Sequence, residues 1–214
     1  FSGEPIALMR RLFAAQAGAW SAYVDTGRHV ICSASPELFF SIDGERILCR
    51  PMKGTWPRGF WPAQDAAHGE ALRLSAKNRA ENVMIVDMVR NDLGRIARTG
   101  TIRAASLFDV ERYPLQWQMT STVEGVAERR SLEDLFAAMF PCGSITGAPK
   151  VSSMRIIRSL ESTPRGIYTG AIGYISPERR AHFKVPIHTV ALDRALGLAE
   201  FGVGSGVVWD SVGR

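Results

Sequence analysis

Between Phe140 and Val151 the chain reads F-P-C-G-S-I-T-G-A-P-K-V, with glycines on both sides of Ser144, Ile145 and Thr146. An apolar helix ending here and an amphipathic one opening at Pro149 would leave backbone N–H groups unpaired at a helix start. Peptide dipoles favour an anion at such a place. Proline suits a first helical position, because its missing N–H would have had no partner there. The expected guest is a carboxylate or a phosphate, with Thr146 and Gly147 at the contact; an ordinary helix–helix turn is the alternative. It is not a Walker loop, since Gly147 and Lys150 are not adjacent and no Ser or Thr follows the lysine.

Lys53 stands in R-P-M-K-G-T (50–55). A lysine nucleophile must be neutral, yet an ordinary amine with a pKa of about 10.4 is unprotonated in roughly one copy in a few thousand at neutral pH. Burial or neighbouring cations lower that value, and Arg50 and Arg58 are the cations close in sequence. Glu37, in S-P-E-L-F-F (35–40), is a carboxylic acid that could protonate a leaving group. Lys77 and Glu81 are four apart and share one helix face, where they can form an ion pair. The run G-V-G-S-G (202–206) lets backbone approach a ligand, offering the N–H groups of Gly204, Ser205 and Gly206.

Taken in order, S-P-E-L-F-F, R-P-M-K-G-T, A-K-N-R-A-E-N-V-M-I-V-D-M-V-R-N-D-L-G-R (76–95) and the 140–151 turn resemble the chorismate-utilising enzymes. That family includes anthranilate synthase, isochorismate synthase and aminodeoxychorismate synthase, and the resemblance runs across nearly the whole chain. The lysine of P-M-K-G-T is similar to component I of aminodeoxychorismate synthase; anthranilate synthase has alanine there. The resemblance implies that Lys53 adds to C2 of chorismate and expels the C4 hydroxyl. Glu37 would protonate that hydroxyl, and ammonia from a separate glutamine amidotransferase subunit would enter at C4. It further implies that Gly54 and Thr55 touch substrate, that Tyr168 offers a hydroxyl to a substrate carboxylate, and that Glu81 is a Mg2+ ligand. Magnesium suits such a site because it favours carboxylate oxygens and can bridge to a bound carboxylate.

Three departures from the family pattern stand out. His188, in F-K-V-P-I-H-T-V (183–190), occupies the place of an arginine that clamps a substrate carboxylate. A neutral imidazole cannot reproduce that planar, bidentate pairing. Pro186, read as lying inside a strand, would remove a ladder donor. Gln118 stands where anthranilate synthase has histidine, and it can hydrogen-bond but cannot transfer a proton. Finally, the family continues beyond the Arg214 position into a helix with a second glutamate for magnesium, and its N-terminal portion has no counterpart here. The expectation is therefore the C-terminal catalytic part, incomplete at both ends and weak or inactive as it stands. An anthranilate synthase component I-like enzyme and a catalytically lapsed chorismate-binding or interaction protein are the rival readings.

Composition sets bounds around these readings. With 214 residues, 46% apolar and 22% charged, the chain suits an ordinary globular core. A net charge of +5 and a pI near 9.4 come from scattered basic residues such as Arg10, Arg11, Arg129 and Arg130. No aromatic–basic stripe accompanies them, which argues against nucleic acid, while the positive bias would draw an anionic dicarboxylate. Cys32, Cys49 and Cys142 form no CxxC pair and fit neither a zinc site nor a disulfide framework. With no membrane-spanning run and no signal-peptide pattern, a cytoplasmic protein is expected.

The elements that must position these residues follow from periodicity. A helix is predicted over 5–16, then strands over 19–25, 29–34 and 37–42, with Asp43-Gly44 turning into a return strand over 45–50. Lys53 would sit just past that strand's end, before a Pro/Gly/Trp-rich loop over 56–62. A long helical stretch over 65–95, interrupted near Gly69, buries Val83, Val86, Val89 and Leu93 and ends on Gly94 as its cap. A strand over 120–127 and a helix introduced by the Ser131–Asp134 capping box follow. Strands over 168–176, 182–192 and 197–210 complete one α/β (α+β) domain over 1–214, its packed sheets flanked by helices.

Overall fold

The computed structural model describes residues 3–16, 20–128, 131–208 and 211–212. The expected strand ends at 19 and at 209–210, along with Arg129 and Arg130, lie outside the described residues. Two sheets, every ladder antiparallel, are flanked by helices. The smaller sheet has the order β1-β2-β10-β11, with β1 (Trp20–Asp25), β2 (His29–Ser35), β10 (Thr189–Asp193) and β11 (Leu198–Phe201). The larger has the order β5-β7-β4-β3-β9-β8, with β6 also pairing with β7. Its strands are β3 (Leu38–Asp43), β4 (Arg46–Arg50), β5 (Met52–Pro57), β6 (Arg103–Arg112), β7 (Gln116–Val126), β8 (Ile172–Ser176) and β9 (Arg180–Lys184).

The chain passes between the sheets at two places, Pro36–Glu37 and Val185–His188, and the two crossings lie side by side. Val185 N–H donates to the Glu37 carbonyl at 3.1 Å, and Ala34 N–H donates to the His188 carbonyl at 2.9 Å. Lys184, 3% exposed, spans the same seam, its ammonium donating to the carbonyls of Trp20 and, at 3.0 Å, Ser33. Pro186 therefore does not interrupt a strand. It lies between β9 and β10, where no ladder donor is required, and its carbonyl accepts from Thr169 N–H at 3.1 Å.

Helices cover the sheets. Helix α1 (Pro5–Ala15) lays Leu8, Met9 and Leu12 against Val30 and Cys32 of the small sheet. On the large sheet, α3 (Ala76–Gly94) and α4 (Leu132–Met139) enclose a core that includes Phe39, Phe40, Ile47, Ile85, Val86, Val123 and Met139. The Ser131–Asp134 capping box is formed in both directions. Helix α2 (Pro62–Leu74) runs through Gly69 unbroken, and the glycine makes room for the Trp117 indole, which an added Cβ would meet at 3.2 Å. The interruption comes instead at Ser75, whose hydroxyl caps α3 by accepting from Asn78 N–H.

Other boundaries shift for similar local reasons. Gly94 is the last helical residue and Arg95, in right-handed conformation, is the cap. Val83 is exposed, and the buried face of α3 instead carries Asn82 with Ile85, Val86, Val89 and Leu93. Pro149 is the extended N-cap of α6 (Lys150–Leu160) rather than its first helical residue. Strand β6 has no counterpart among the expected elements, and the last expected strand shrinks to β11, with 202–208 irregular.

Candidate active site

Lys53 lies inside β5, not beyond a strand end. Pairing between β5 and β7 shifts register between Met52 and Thr55, so Lys53 and Gly54 form a bulge. Such a bulge re-aims a side chain out of the ladder. Gly54 makes it possible: its φ is +102°, and an added Cβ would sit 3.1 Å from both Asn78 and Met119. Asn82, 1% exposed on α3, clasps the bulge through Nδ2, donating to the Lys53 carbonyl at 3.2 Å. The Asn82 oxygen in turn accepts from the Ser121 hydroxyl.

Lys53 faces a cavity of about 540 Å³ at the seam between the two sheets. Glu37 lines the same cavity from the first crossing and His188 from the second. The Glu37 side chain is buried at 4% exposure and accepts a short hydrogen bond from the Ser144 hydroxyl. Burial raises its pKa to about 7, against the opposing pull of Ser144 and the Lys53 charge. Cys142 Sγ lies 3.1 Å from the Ser144 hydroxyl, behind the acid. The thiol is itself pushed up to about 12, by burial first.

The opposite wall is the irregular 202–206 run. A side chain at Gly202 would collide with the Tyr168 ring at 2.2 Å, and one at Gly204 would meet the Tyr168 hydroxyl at 2.9 Å. A Cβ at Gly206 would lie 3.7 Å from the Lys53 ammonium. Gly202 and Gly204 let the backbone pack closely on Tyr168, and Tyr168, Gly204, Ser205 and Gly206 all line the cavity. Gly54 and Thr55 line it too; the Thr55 hydroxyl donates to Gln118 Oε1 at 2.9 Å. His188 Nδ1 is buried and has no hydrogen-bond partner among the described residues, and desolvation lowers its pKa.

Several expected residues fall elsewhere. In the 140–151 turn, the short helix α5 (Gly143–Thr146) uses the N–H groups of Ile145, Thr146 and Gly147 on the Cys142 and Gly143 carbonyls. Those amides are therefore not free for an anion. The Thr146 hydroxyl turns back to the same carbonyls, and neither Thr146 nor Gly147 lines the cavity; Ser144 and Ile145 do. Lys150 ties α6 to the core, donating to Asp92 at 2.6 Å and to the Met139 carbonyl at 3.0 Å. Arg50 and Arg58 pair with Glu111 and Asp65 and do not line the cavity.

Glu81 also lies off the cavity wall, its carboxylate 4.0 Å from the Lys77 ammonium. Among the described residues no three His, Cys, Asp or Glu side chains converge. One carboxylate does not make a magnesium site, so the donors present do not fit a resident metal on their own. Among the described residues, no helix is long and apolar enough to cross a membrane.

Asn82 escapes the sequence reading, and the roles of Ser144 on Glu37 and Gly202 on Tyr168 emerge only from the packing. Asn82 carried a faint signal, a polar residue where the helix period of α3 places the buried face.

The model of the chorismate binding enzyme family matches residues 1–214, and the chain belongs to that family. It is 44% identical to the aminodeoxychorismate synthase of Streptomyces griseus over 206 residues, 95% of this chain and 28% of that protein. It is also 40% identical to anthranilate synthase component 1 of Streptomyces coelicolor, over 97% of this chain and 41% of that protein. Among solved structures, anthranilate synthase component I from Streptococcus pneumoniae superposes with a TM-score of 0.89 at 31% identity. That match covers 99% of this chain and 46% of the other. The chain thus spans less than half the length of these relatives.

Proposed function

We propose that this chain carries the catalytic centre of an aminodeoxychorismate synthase component I-like enzyme, converting chorismate and ammonia to 4-amino-4-deoxychorismate. Identity alone does not separate this reading from anthranilate synthase, since relatives of both kinds are similarly close. The observation that carries it is the meeting of Lys53 and Glu37 in one cavity, the acid buried and raised to about 7.

The chemistry follows from those two groups. The Lys53 amine bonds to C2 of chorismate, both conjugated ring double bonds shift along the ring, and the C4–O bond breaks. Glu37 delivers its proton to the departing hydroxyl, which leaves as water; without that proton hydroxide is a poor leaving group. Ammonia then bonds to C4, both double bonds shift back, and the bond from Lys53 to C2 breaks, releasing the amine. The surplus proton on the new amine returns to the Glu37 carboxylate. Ammonia would come from a glutamine amidotransferase, and no step is routed through a metal ion. The rival reading of a lapsed binding protein draws on His188, whose neutral ring replaces a charged clamp.

The test is product analysis of the purified chain with chorismate, ammonium and magnesium. Aminodeoxychorismate is expected in small amount, the chain being weak as it stands, and Lys53→Ala should lower its formation on the order of 10³-fold or more. Anthranilate as the product, or an unaffected Lys53→Ala variant, would overturn the assignment. Chorismate binding without turnover would favour the lapsed protein.

A further inference from the structure

A dicarboxylate entering this cavity needs positive charge to meet it, and the lining supplies little. Lys53 must give up its charge to act as a nucleophile. His188 is desolvated, which disfavours its cationic form. Among the described residues that line the cavity, the one guanidinium is Arg165. It stands three residues before Tyr168, in the loop after α6, with its side chain 29% exposed. Its Nε donates to Glu161 Oε2 at 2.8 Å and its Nη2 to Glu161 Oε1 at 2.6 Å. That two-point grip fixes the plane of the guanidinium, and among the described residues the Nη1 donors are left for a ligand.

We infer that Arg165 is the carboxylate receptor of this site and sets its preference for doubly charged ligands, a role assigned on cavity position and donor geometry. Glu161 holds the guanidinium at the rim, and the ligand carboxylate takes the donors that Glu161 does not use. His188 lines the same cavity, and its desolvated ring is disfavoured as a cation. This rests on the functional reading above, because it takes chorismate as the ligand.

Calorimetric titration of chorismate into the wild-type chain, Arg165→Lys, Arg165→Gln and Arg165→Gln/His188→Arg tests it. Loss of charge-assisted hydrogen bonds should weaken binding about tenfold to a hundredfold in Arg165→Gln. Arg165→Lys, which keeps charge but not the fork, should fall between. The double variant, with a guanidinium returned at His188 in the same cavity, should recover most of the affinity. Affinity in Arg165→Gln within about twofold of wild type overturns the inference while leaving the function standing. Equal affinity losses in Arg165→Lys and Arg165→Gln, with matching falls in ligand-free melting temperature, assign Arg165 to folding and also overturn it. A wild-type chain that gives no binding heat removes the functional reading itself.

Discussion

Glu37 is where charge and stability are most directly linked. Its folded pKa of about 7 lies above the ordinary carboxylate value of 4.5, with burial as the main cause. Between those values the folded chain holds a proton that the unfolded chain has released, so this group's contribution to stability falls as pH rises through that window. Glu37→Gln removes the penalty. At pH 8 the variant should be more stable than wild type by about 3 kcal/mol, with the gain gone near pH 4, while turnover drops on the order of 10²-fold. Denaturant midpoints at the two pH values, read beside activity, check both halves; equal midpoints throughout would mean the acid is not held protonated. Because the Ser144 hydrogen bond opposes burial, Ser144→Ala should move the basic limb of the pH–rate profile upward.

At the scale of elements, the site depends on a bulge that two others pin from either side. Helix α3 supplies Asn82 to the Lys53 carbonyl, and β7 holds Met52 and Thr55 on either side of the register shift. Gly54 meets both conditions that exclude a side chain, a positive φ and contacts at 3.1 Å. Gly54→Ala should therefore destabilise by about 2–4 kcal/mol, from backbone strain and overpacking together. Thermal unfolding against a Gly44→Ala control is informative, since Gly44 shares the positive φ but has open space around it. Equal losses at the two sites would show that crowding around the bulge adds nothing.

Across the whole molecule, the cavity exists because the two sheets are joined by adjacent crossings, and Lys184 holds that seam. Desolvation lowers its pKa from 10.5 to about 8. The unfolded chain binds this proton between about pH 8 and 10.5 and the folded chain does not, so this contribution to stability rises with pH across that range. Wild type should therefore gain on Lys184→Met as the medium is taken from pH 8 to pH 10. A stability difference that stays flat in paired urea titrations would rule out a desolvated ammonium at the seam.

Local chemistry was legible along the chain because local rules determine it. The Asp43-Gly44 hairpin, the Ser131–Asp134 capping box, and the residue types of Lys53 and Glu37 in their motifs depend only on neighbours a few positions away. What no neighbour-level rule contains is the pairing of distant segments. The bulge at Lys53 is defined by β7, more than sixty residues later in the chain, and Glu37 owes its raised pKa to burial, which outweighs the lowering by its hydrogen bond from Ser144. Gly202 looks like any turn glycine until Tyr168 is laid against it, and Arg165 like any surface arginine until the seam opens beside it. Residue type is a property of the chain, whereas the charge, aim and partner of a side chain are set by what long-range packing brings against it.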